Sequence, residues 1–117
     1  MQPLHASLGP MVAIAGLGFA IVAGVSAWLD RWHLVVRRLA LVLGGLLVLQ
    51  VALGAIVFLS GARPSEGLHL LYGIVILAVL PLAASFAAEA PPRPYSGVLA
   101  VGGLVVLLLA WRLLATG

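Results

Sequence analysis

The fold is decided by residues 39–60, which read LALVLGGLLVLQVALGAIVFLS. This stretch contains no charged side chain, and only Gln50 and Ser60 carry polar side-chain atoms. About 20 consecutive apolar residues are enough for an α-helix to cross the ~30 Å hydrocarbon core of a bilayer. The stretch therefore predicts a transmembrane helix.

Three further stretches have the same character, at residues 10–29, 68–88 and 97–115. Short polar segments separate the four stretches, so that successive helices are expected to run antiparallel and to pack as neighbours. None of the stretches shows the period-two alternation of a transmembrane β-barrel. The sequence predicts an all-α fold, a four-transmembrane-helix antiparallel bundle that forms one domain over residues 1–117.

Composition narrows the class of protein and its partners. Hydrophobic residues make up 64% of the chain and charged residues 8%, with a mean hydropathy of +1.27, far from the values of soluble domains. Cysteine is absent, which excludes disulfides and thiolate-bound metals. Because the sequence has no basic stripe with interleaved aromatic residues, nucleic acid is not an expected partner. The expected partners are the lipid bilayer and other membrane subunits or a second copy of the chain.

The arginines predict the orientation of the chain in the membrane. Those in or beside the first and third loops are Arg31, Arg37, Arg38 and Arg93, and those on the opposite side are Arg63 and Arg112. Cytoplasmic loops carry the excess of basic residues, so both termini are expected outside, in an inner or plasma membrane. The first apolar run is too long for a signal peptide and lacks a basic leader, so it is expected to remain as a helix.

Small residues predict close helix packing. Gly16, Ala20 and Gly24 form a stripe along one face of the first helix, which permits close approach within the bundle or to another subunit. The second and fourth helices each contain a Gly-Gly-Leu phrase, at residues 44–46 and 102–104. With the histidine phrases described next, these repeats divide the chain into two related hairpins.

Two histidines open matching phrases, LHASLG at residues 4–9 and LHLLYG at residues 68–73. An ionisable side chain near lipid is costly and marks a candidate functional site. His5 and His69 begin helices that run in the same direction, so both are expected at the same face of the membrane. Haem iron takes axial imidazoles, and the pair therefore predicts a bis-histidine haem site with His5 and His69 as the metal ligands.

The glycines of the two phrases fit this hypothesis. Gly9 and Gly73 each lie four residues after a histidine and share its helix face, where the missing side chain leaves room for a flat macrocycle. Both glycines are therefore predicted cofactor-binding residues. A zinc or di-iron site needs more ligands than the sequence offers. Haem b is the expected cofactor, and no other metal is expected.

The start of the first helix has two interpretations. Proline is accommodated in the first turn of a helix, so Pro10 is compatible with a helix that begins at Ser7 as its N-cap and leaves His5 in a tail. Alternatively, the helix begins near Pro3 and contains Pro10, which transmembrane helices tolerate when neighbours satisfy the freed backbone groups. Only the second interpretation places His5 on a helix.

Two other polar residues have alternative roles. Gln50 lies near the middle of the second helix, where a buried amide needs a partner, and it is predicted to form an interhelical hydrogen bond or to contact a cofactor. His33 lies beside Trp32 on the arginine-rich side and is interpreted as an interfacial residue rather than a ligand.

A longer motif resembles the haem A synthase family. The residues are QVALGAIVFLSGA at 50–62, followed by EGLH at 66–69. The family repeats a Gln-x-x-x-Gly-Ala-x-Val helix that ends in a Ser/Thr-Gly turn, with Glu-x-x-His at the head of the next helix. The resemblance covers residues 50–73 and implies that His69 binds haem and that Glu66, as a candidate catalytic residue, lies near it.

The chain also departs from that family pattern. Family members have eight helices in two halves, and the second histidine of a half begins its fourth helix, where this chain has none. Leu70 replaces the usual basic residue after the histidine, and the loop cysteines of the family are missing. The resemblance therefore implies haem binding more strongly than oxidation of haem, and whether the chain is an enzyme stays open.

These observations leave three functional hypotheses. The first is a membrane b-type haem protein that transfers electrons or handles haem through a bis-histidine site on the outer face. The second is an enzyme that acts on haem, with Glu66 near the reacting edge. The third is a cofactor-free accessory subunit of a larger respiratory or photosynthetic membrane complex.

Overall fold

A computed structural model describes residues 2–64 and 66–117 and contains four helices. Their bounds are α1 Gln2–Leu29, α2 His33–Leu59, α3 Leu68–Phe86 and α4 Pro92–Thr116. The described part of the chain has no strand, and the helices pack as an antiparallel bundle that measures 47 × 22 × 19 Å. The predicted all-α four-helix bundle is confirmed.

All four helices are long and apolar enough to cross a membrane. Even α3, with 19 residues, spans about 28 Å at ~1.5 Å per residue, close to the thickness of a hydrocarbon core. Large apolar side chains such as Ile14, Leu41 and Ile74 face outward, as lipid-facing residues of a transmembrane bundle do. The chain is a multi-pass membrane protein.

Three of the four helices begin earlier than hydropathy predicts. α1 begins at Gln2 rather than residue 10, and α2 begins at His33 rather than residue 39. α4 begins at Pro92 rather than residue 97, because proline fits the first helical turn, where its missing N–H has no acceptor. Hydropathy reports only the part of a helix that lies in lipid, whereas helical hydrogen bonding continues into the polar ends.

Pro10 lies inside α1. The Ser7 hydroxyl does not cap the helix but donates to the carbonyl of Pro3 at 2.8 Å, one turn earlier. The interpretation in which Ser7 is the N-cap is therefore wrong, and His5 lies on a helix.

The bundle is tightest where α1 meets α4. A Cβ atom added to Gly103 would lie 2.9 Å from Cδ2 of Phe19 and 3.2 Å from Cα of Ala20, and one added to Gly16 would lie 3.4 Å from Val106. Gly24, by contrast, has no neighbour within 4 Å of such an atom. The small-residue stripe of α1 thus serves packing within the bundle, through its first two members.

The two Gly-Gly phrases have different surroundings. Gly102 and Gly103 are buried in α4, and a Cβ atom on Gly102 would lie 3.2 Å from that of Ala83 in α3. Gly44 and Gly45 in α2 have nothing within 4 Å of an added Cβ atom. The two hairpins share a phrase but not its packing, because α2 meets α3 much more loosely than α4 meets α1.

Candidate functional site

The two ends of the bundle carry separate groups of polar residues. We call the end that contains the N-terminus of α1, the α2–α3 loop and the C-terminus of α4 the histidine end. The opposite end contains the α1–α2 and α3–α4 loops, and we call it the arginine end.

His5 and His69 meet at the histidine end. Their ring centres lie 6.2 Å apart and their ring planes are inclined by 83°. The two helices occupy diagonal positions, and within the described ranges no Cα atom of α1 lies within 8 Å of one in α3. The side chains alone bridge the diagonal, so the structure brings together the two histidines that the sequence paired.

The His5 ring is held by α2. Its Nδ1 lies 3.1 Å from the main-chain carbonyl oxygen of Gln50. A carbonyl oxygen only accepts, so Nδ1 carries the proton and Nε2 carries the lone pair. The ring also lies on Gly54, where an added Cβ atom would be 2.8 Å from Cε1. A glycine is required at residue 54 if the ring is to keep this place.

The His69 ring is held by the last turn of α4. Its Nδ1 lies 3.0 Å from the carbonyl oxygen of Leu113 and 3.3 Å from the hydroxyl oxygen of Thr116. The carbonyl again fixes the proton on Nδ1. Gly117 lies against the ring, and a Cβ atom there would be 2.7 Å from Cε1.

Both imidazoles therefore present the same tautomer. For residues 2–64 and 66–117, the structure gives no hydrogen-bond partner to Nε2 of either His5 or His69. A metal-binding histidine typically donates its other ring N–H to a backbone carbonyl or a carboxylate, which fixes the tautomer and the ring orientation. His5 and His69 have this arrangement, and each keeps one nitrogen free to bind.

Gln50 has an interhelical role. Its Nε2 donates to the carbonyl oxygen of His5 at 2.9 Å, so that its side chain and its main chain both tie α2 to the first turn of α1. The Oε1 atom of Gln50 is buried and has no hydrogen-bond partner in the described part of the chain. The predicted interhelical hydrogen bond is present, and it uses the Nε2 atom of the amide but not the Oε1 atom.

Gly9 and Gly73, the two glycines that are predicted to border the haem, differ in their surroundings. At Gly9 an added Cβ atom would lie 3.0 Å from Cδ2 of Leu114 and 3.8 Å from Nε2 of Gln50, so neighbouring side chains already fill that space. At Gly73 there is nothing within 4 Å. Of the two positions, only Gly73 borders open space.

Glu66 lies at the surface, one turn before His69. Its main-chain N–H donates to the carbonyl of Thr116 at 3.0 Å, and its carbonyl accepts from the N–H of His69 at 3.1 Å. The backbone of Glu66 thus joins the start of α3 to the end of α4. Arg63 does not pair with Glu66, because its guanidinium donates to the carbonyls of Phe58 and Ala62.

His33 occupies a different environment at the arginine end. Its Nε2 lies 2.7 Å from Oδ1 of Asp30, and its Nδ1 lies 2.6 Å from the hydroxyl oxygen of Ser96 in α4. Ser96 is fully buried, and both ring nitrogens are occupied. His33 connects the α1–α2 loop to α4, and its ring has no nitrogen left for a ligand.

Several residues around the histidine pair were not identified from the sequence. They are Gly54, Leu113, Thr116 and Gly117. The sequence did offer a signal for Gly54, because it lies one helical turn after Gln50 and is the glycine of the Gln-x-x-x-Gly pattern. Leu113 contributes only a main-chain carbonyl, which every residue possesses, so no signal in the sequence marks it.

The ligand count limits the metal chemistry. Among the residues that the structure describes, no group of three or more His, Asp or Glu side chains is placed to hold a metal ion.

The fold and its hydropathy define a multi-pass helical membrane protein with a paired-histidine site at one end. No protein-family model, curated protein or solved structure matches the chain. The resemblance to haem A synthase stays a prediction.

Proposed function

We propose that this chain is an integral membrane b-type haem-binding protein, in which His5 and His69 provide the axial ligands through their Nε2 atoms. One observation carries the proposal. Both rings donate Nδ1–H to main-chain carbonyls of neighbouring helices and keep Nε2 without a partner in the described structure. Outer-shell bonds of this kind orient metal-binding histidines in proteins.

The proximity of the rings supports the same assignment. Their centres lie 6.2 Å apart, so that both side chains could reach one bound group. Two ligands suit haem, because the porphyrin supplies the four equatorial nitrogens and the protein supplies only the axial ones.

The surroundings of the pair leave room for a flat group on one side. The open space beside Gly73 lies one turn below His69, and the unpaired Oε1 of Gln50 is available as a polar contact, whereas the Leu114 side chain beside Gly9 would have to move. Bound haem would supply a one-electron iron couple. The role of the protein would be to hold both imidazoles in the neutral Nδ1–H tautomer and to surround the haem with apolar helices.

We infer electron transfer or haem handling as the activity, at the outer face of an inner or plasma membrane. The arginine bias supports that orientation, because Arg37 and Arg38 lie at the end opposite to the histidine pair. An enzymatic activity on haem is the second candidate. The exposed position of Glu66, one turn before His69 and joined to it by a main-chain hydrogen bond, favours Glu66 as the group near the reacting edge.

The test is an absorption spectrum. The protein, expressed with ample haem precursor and purified in detergent, should show a Soret band and a reduced α band. His69→Ala and His5→Ala should each abolish the bis-histidine spectrum, while the matched control His33→Ala should keep it.

The outcomes separate the hypotheses. A folded wild-type protein without a Soret band would refute haem binding and leave the cofactor-free accessory subunit. An unchanged spectrum in His5→Ala would remove His5 from the ligand set. Recovery of a chemically modified haem from the wild type, and its loss in Glu66→Gln with the spectrum unchanged, would identify the enzyme rather than the carrier.

A further inference from the structure

An apolar groove of about 610 Å³ lies between α2 and α3, toward the arginine end. Its floor includes the buried side chains of Leu47 and Leu80. Gly44 and Gly45 line one wall, where an added Cβ atom would have nothing within 4 Å. The volume falls within the roughly 300–1,000 Å³ typical of ligand-binding pockets. The groove is therefore large enough to hold part of an apolar molecule.

A cation lies at the polar end of this groove. Arg37 lines it together with Tyr95, and the guanidinium carbon lies 4.3 Å from the centre of the Tyr95 ring. Tyr95 is buried, so the ring positions the guanidinium by a cation–π contact. In residues 2–64 and 66–117 Arg37 has no carboxylate partner.

Arg37 lies two residues before the apolar stretch 39–60, near the end of α2 that is expected at the membrane surface. Arg37 lies four residues after His33, the first residue of α2, which corresponds to about 6 Å along the helix axis. The groove runs from there toward the middle of the bundle, past Gly44 and Val48. A molecule that fits must therefore have an anionic head at the membrane surface and an apolar tail that follows the helices.

We propose that this groove binds an anionic phospholipid, with one acyl chain along Gly44 and Gly45 and the phosphate on the Arg37 guanidinium. Arginine binds phosphate through two parallel N–H bonds. Basic pockets between transmembrane helices on the cytoplasmic side recognise anionic headgroups. The site includes neither His5 nor His69, so it is independent of the haem proposal.

A second groove lacks the charged element. It lies between α3 and α4, has a volume of about 800 Å³ and is lined by residues such as Val79, Phe86 and Val101, with no charged side chain. An acyl chain of any lipid fits such a surface. Selectivity for an anionic lipid is therefore expected only at the α2–α3 groove.

The experiment measures binding of two lipids by the delipidated full-length protein in detergent. Dioleoylphosphatidylglycerol and dioleoylphosphatidylcholine have the same chains and differ in the charge of the head. The wild type should bind the anionic lipid about fivefold more tightly, the effect of one basic residue near the membrane surface. Arg37→Gln should lose that preference, and the adjacent control Arg38→Gln, which does not line the groove, should keep it.

A second variant tests the tail. Gly45→Leu should fill the groove and weaken binding of both lipids without removing a charge, and glycerol 1-phosphate, which has no chains, should not bind measurably. Helical circular dichroism and gel filtration establish that each variant is folded. The proposal is overturned if folded Arg37→Gln retains the preference, if Gly45→Leu binds both lipids unchanged, or if glycerol 1-phosphate binds as tightly as the lipid.

Discussion

The histidines at the two ends of the bundle are held in opposite tautomers. At the histidine end, Nδ1 of His5 and of His69 faces a main-chain carbonyl, and Nε2 has no partner in the described structure. At the arginine end, Nε2 of His33 donates to the Asp30 carboxylate, and in the neutral ring Nδ1 accepts from the Ser96 hydroxyl.

The difference shows what distinguishes a candidate ligand from a connecting residue. A backbone carbonyl orients an imidazole and leaves its second nitrogen available. A carboxylate and a hydroxyl together use both nitrogens, so His33 stabilises the junction of a loop and two helices. Hydrogen bonding, and not the mere occurrence of histidine in an apolar chain, therefore separates the two ends.

The largest contrast is expected in the accessibility of the two ends. The chain contains no cysteine, so a single introduced cysteine reports one position. Ser60→Cys at the histidine end should react in intact cells with a membrane-impermeant maleimide, because that end is predicted to lie outside. Ala88→Cys at the arginine end should react only after permeabilisation, and the reverse pattern would contradict the orientation.

The next effect concerns the place of the His5 ring. Gly54→Val adds a branched side chain where even a Cβ atom would lie 2.8 Å from Cε1 of His5, so the ring must leave the Gln50 carbonyl. Loss of an outer-shell partner costs about 10–100-fold in metal affinity, and haem occupancy should fall accordingly. Gly45→Val, on the same helix but with open space around it, is the control. Full occupancy in a folded Gly54→Val protein would show that the ring position is not needed.

A smaller effect is expected at the arginine end. Ser96→Ala removes the hydroxyl bonded to Nδ1 of His33, whose side chain is only 17% exposed. The unfolding free energy should fall by about 0.5–1.5 kcal/mol, the usual net contribution of one hydrogen bond, while the haem spectrum stays unchanged. Denaturant titration in mixed micelles measures the stability, with Ser85→Ala, at an exposed position of α3, as the control. A spectral change in Ser96→Ala would mean that the two ends are coupled.

The smallest effect is expected for Gln50→Leu. This substitution removes the bond from Nε2 to the His5 carbonyl but keeps the Gln50 carbonyl that holds the His5 ring. Interhelical side-chain bonds in membranes average about 0.6 kcal/mol, and the substitution also removes a buried oxygen without a partner. Stability should therefore change by less than about 1 kcal/mol. Loss of haem from a stable Gln50→Leu protein would instead assign the amide to the cofactor.

The sequence predicted much of the fold because lipid imposes one rule on every residue of a span. The stretch 39–60 is long and apolar enough to require a transmembrane helix. The short loops require successive helices to run antiparallel as neighbours. The same topology placed His5 and His69 at one end. Hydropathy predicted the start of α3 at residue 68 but not the starts of α1, α2 and α4, since Gln2, His33 and Pro92 lie outside the apolar runs that it detects.

The contacts of the site were less predictable. His5 is close to the start of α1, yet it meets Gln50, which lies nine residues before the end of α2. The offset of the two helices along the membrane normal depends on packing and not on loop length. Likewise, the sequence spells Gly-Gly identically in α2 and α4, but only Gly103 is pressed against a neighbouring backbone.

By itself, the sequence determined the class of protein, the number of spans and the pairing of His5 with His69 at one end. Hydropathy and loop length can be obtained from each segment of the sequence alone, without knowing how the neighbouring helices pack. The tertiary structure alone decided which nitrogen of each histidine is free, because that depends on the rotation and depth at which α2 and α4 present the carbonyls of Gln50 and Leu113. These carbonyls are backbone atoms, and only folding brings them to the rings.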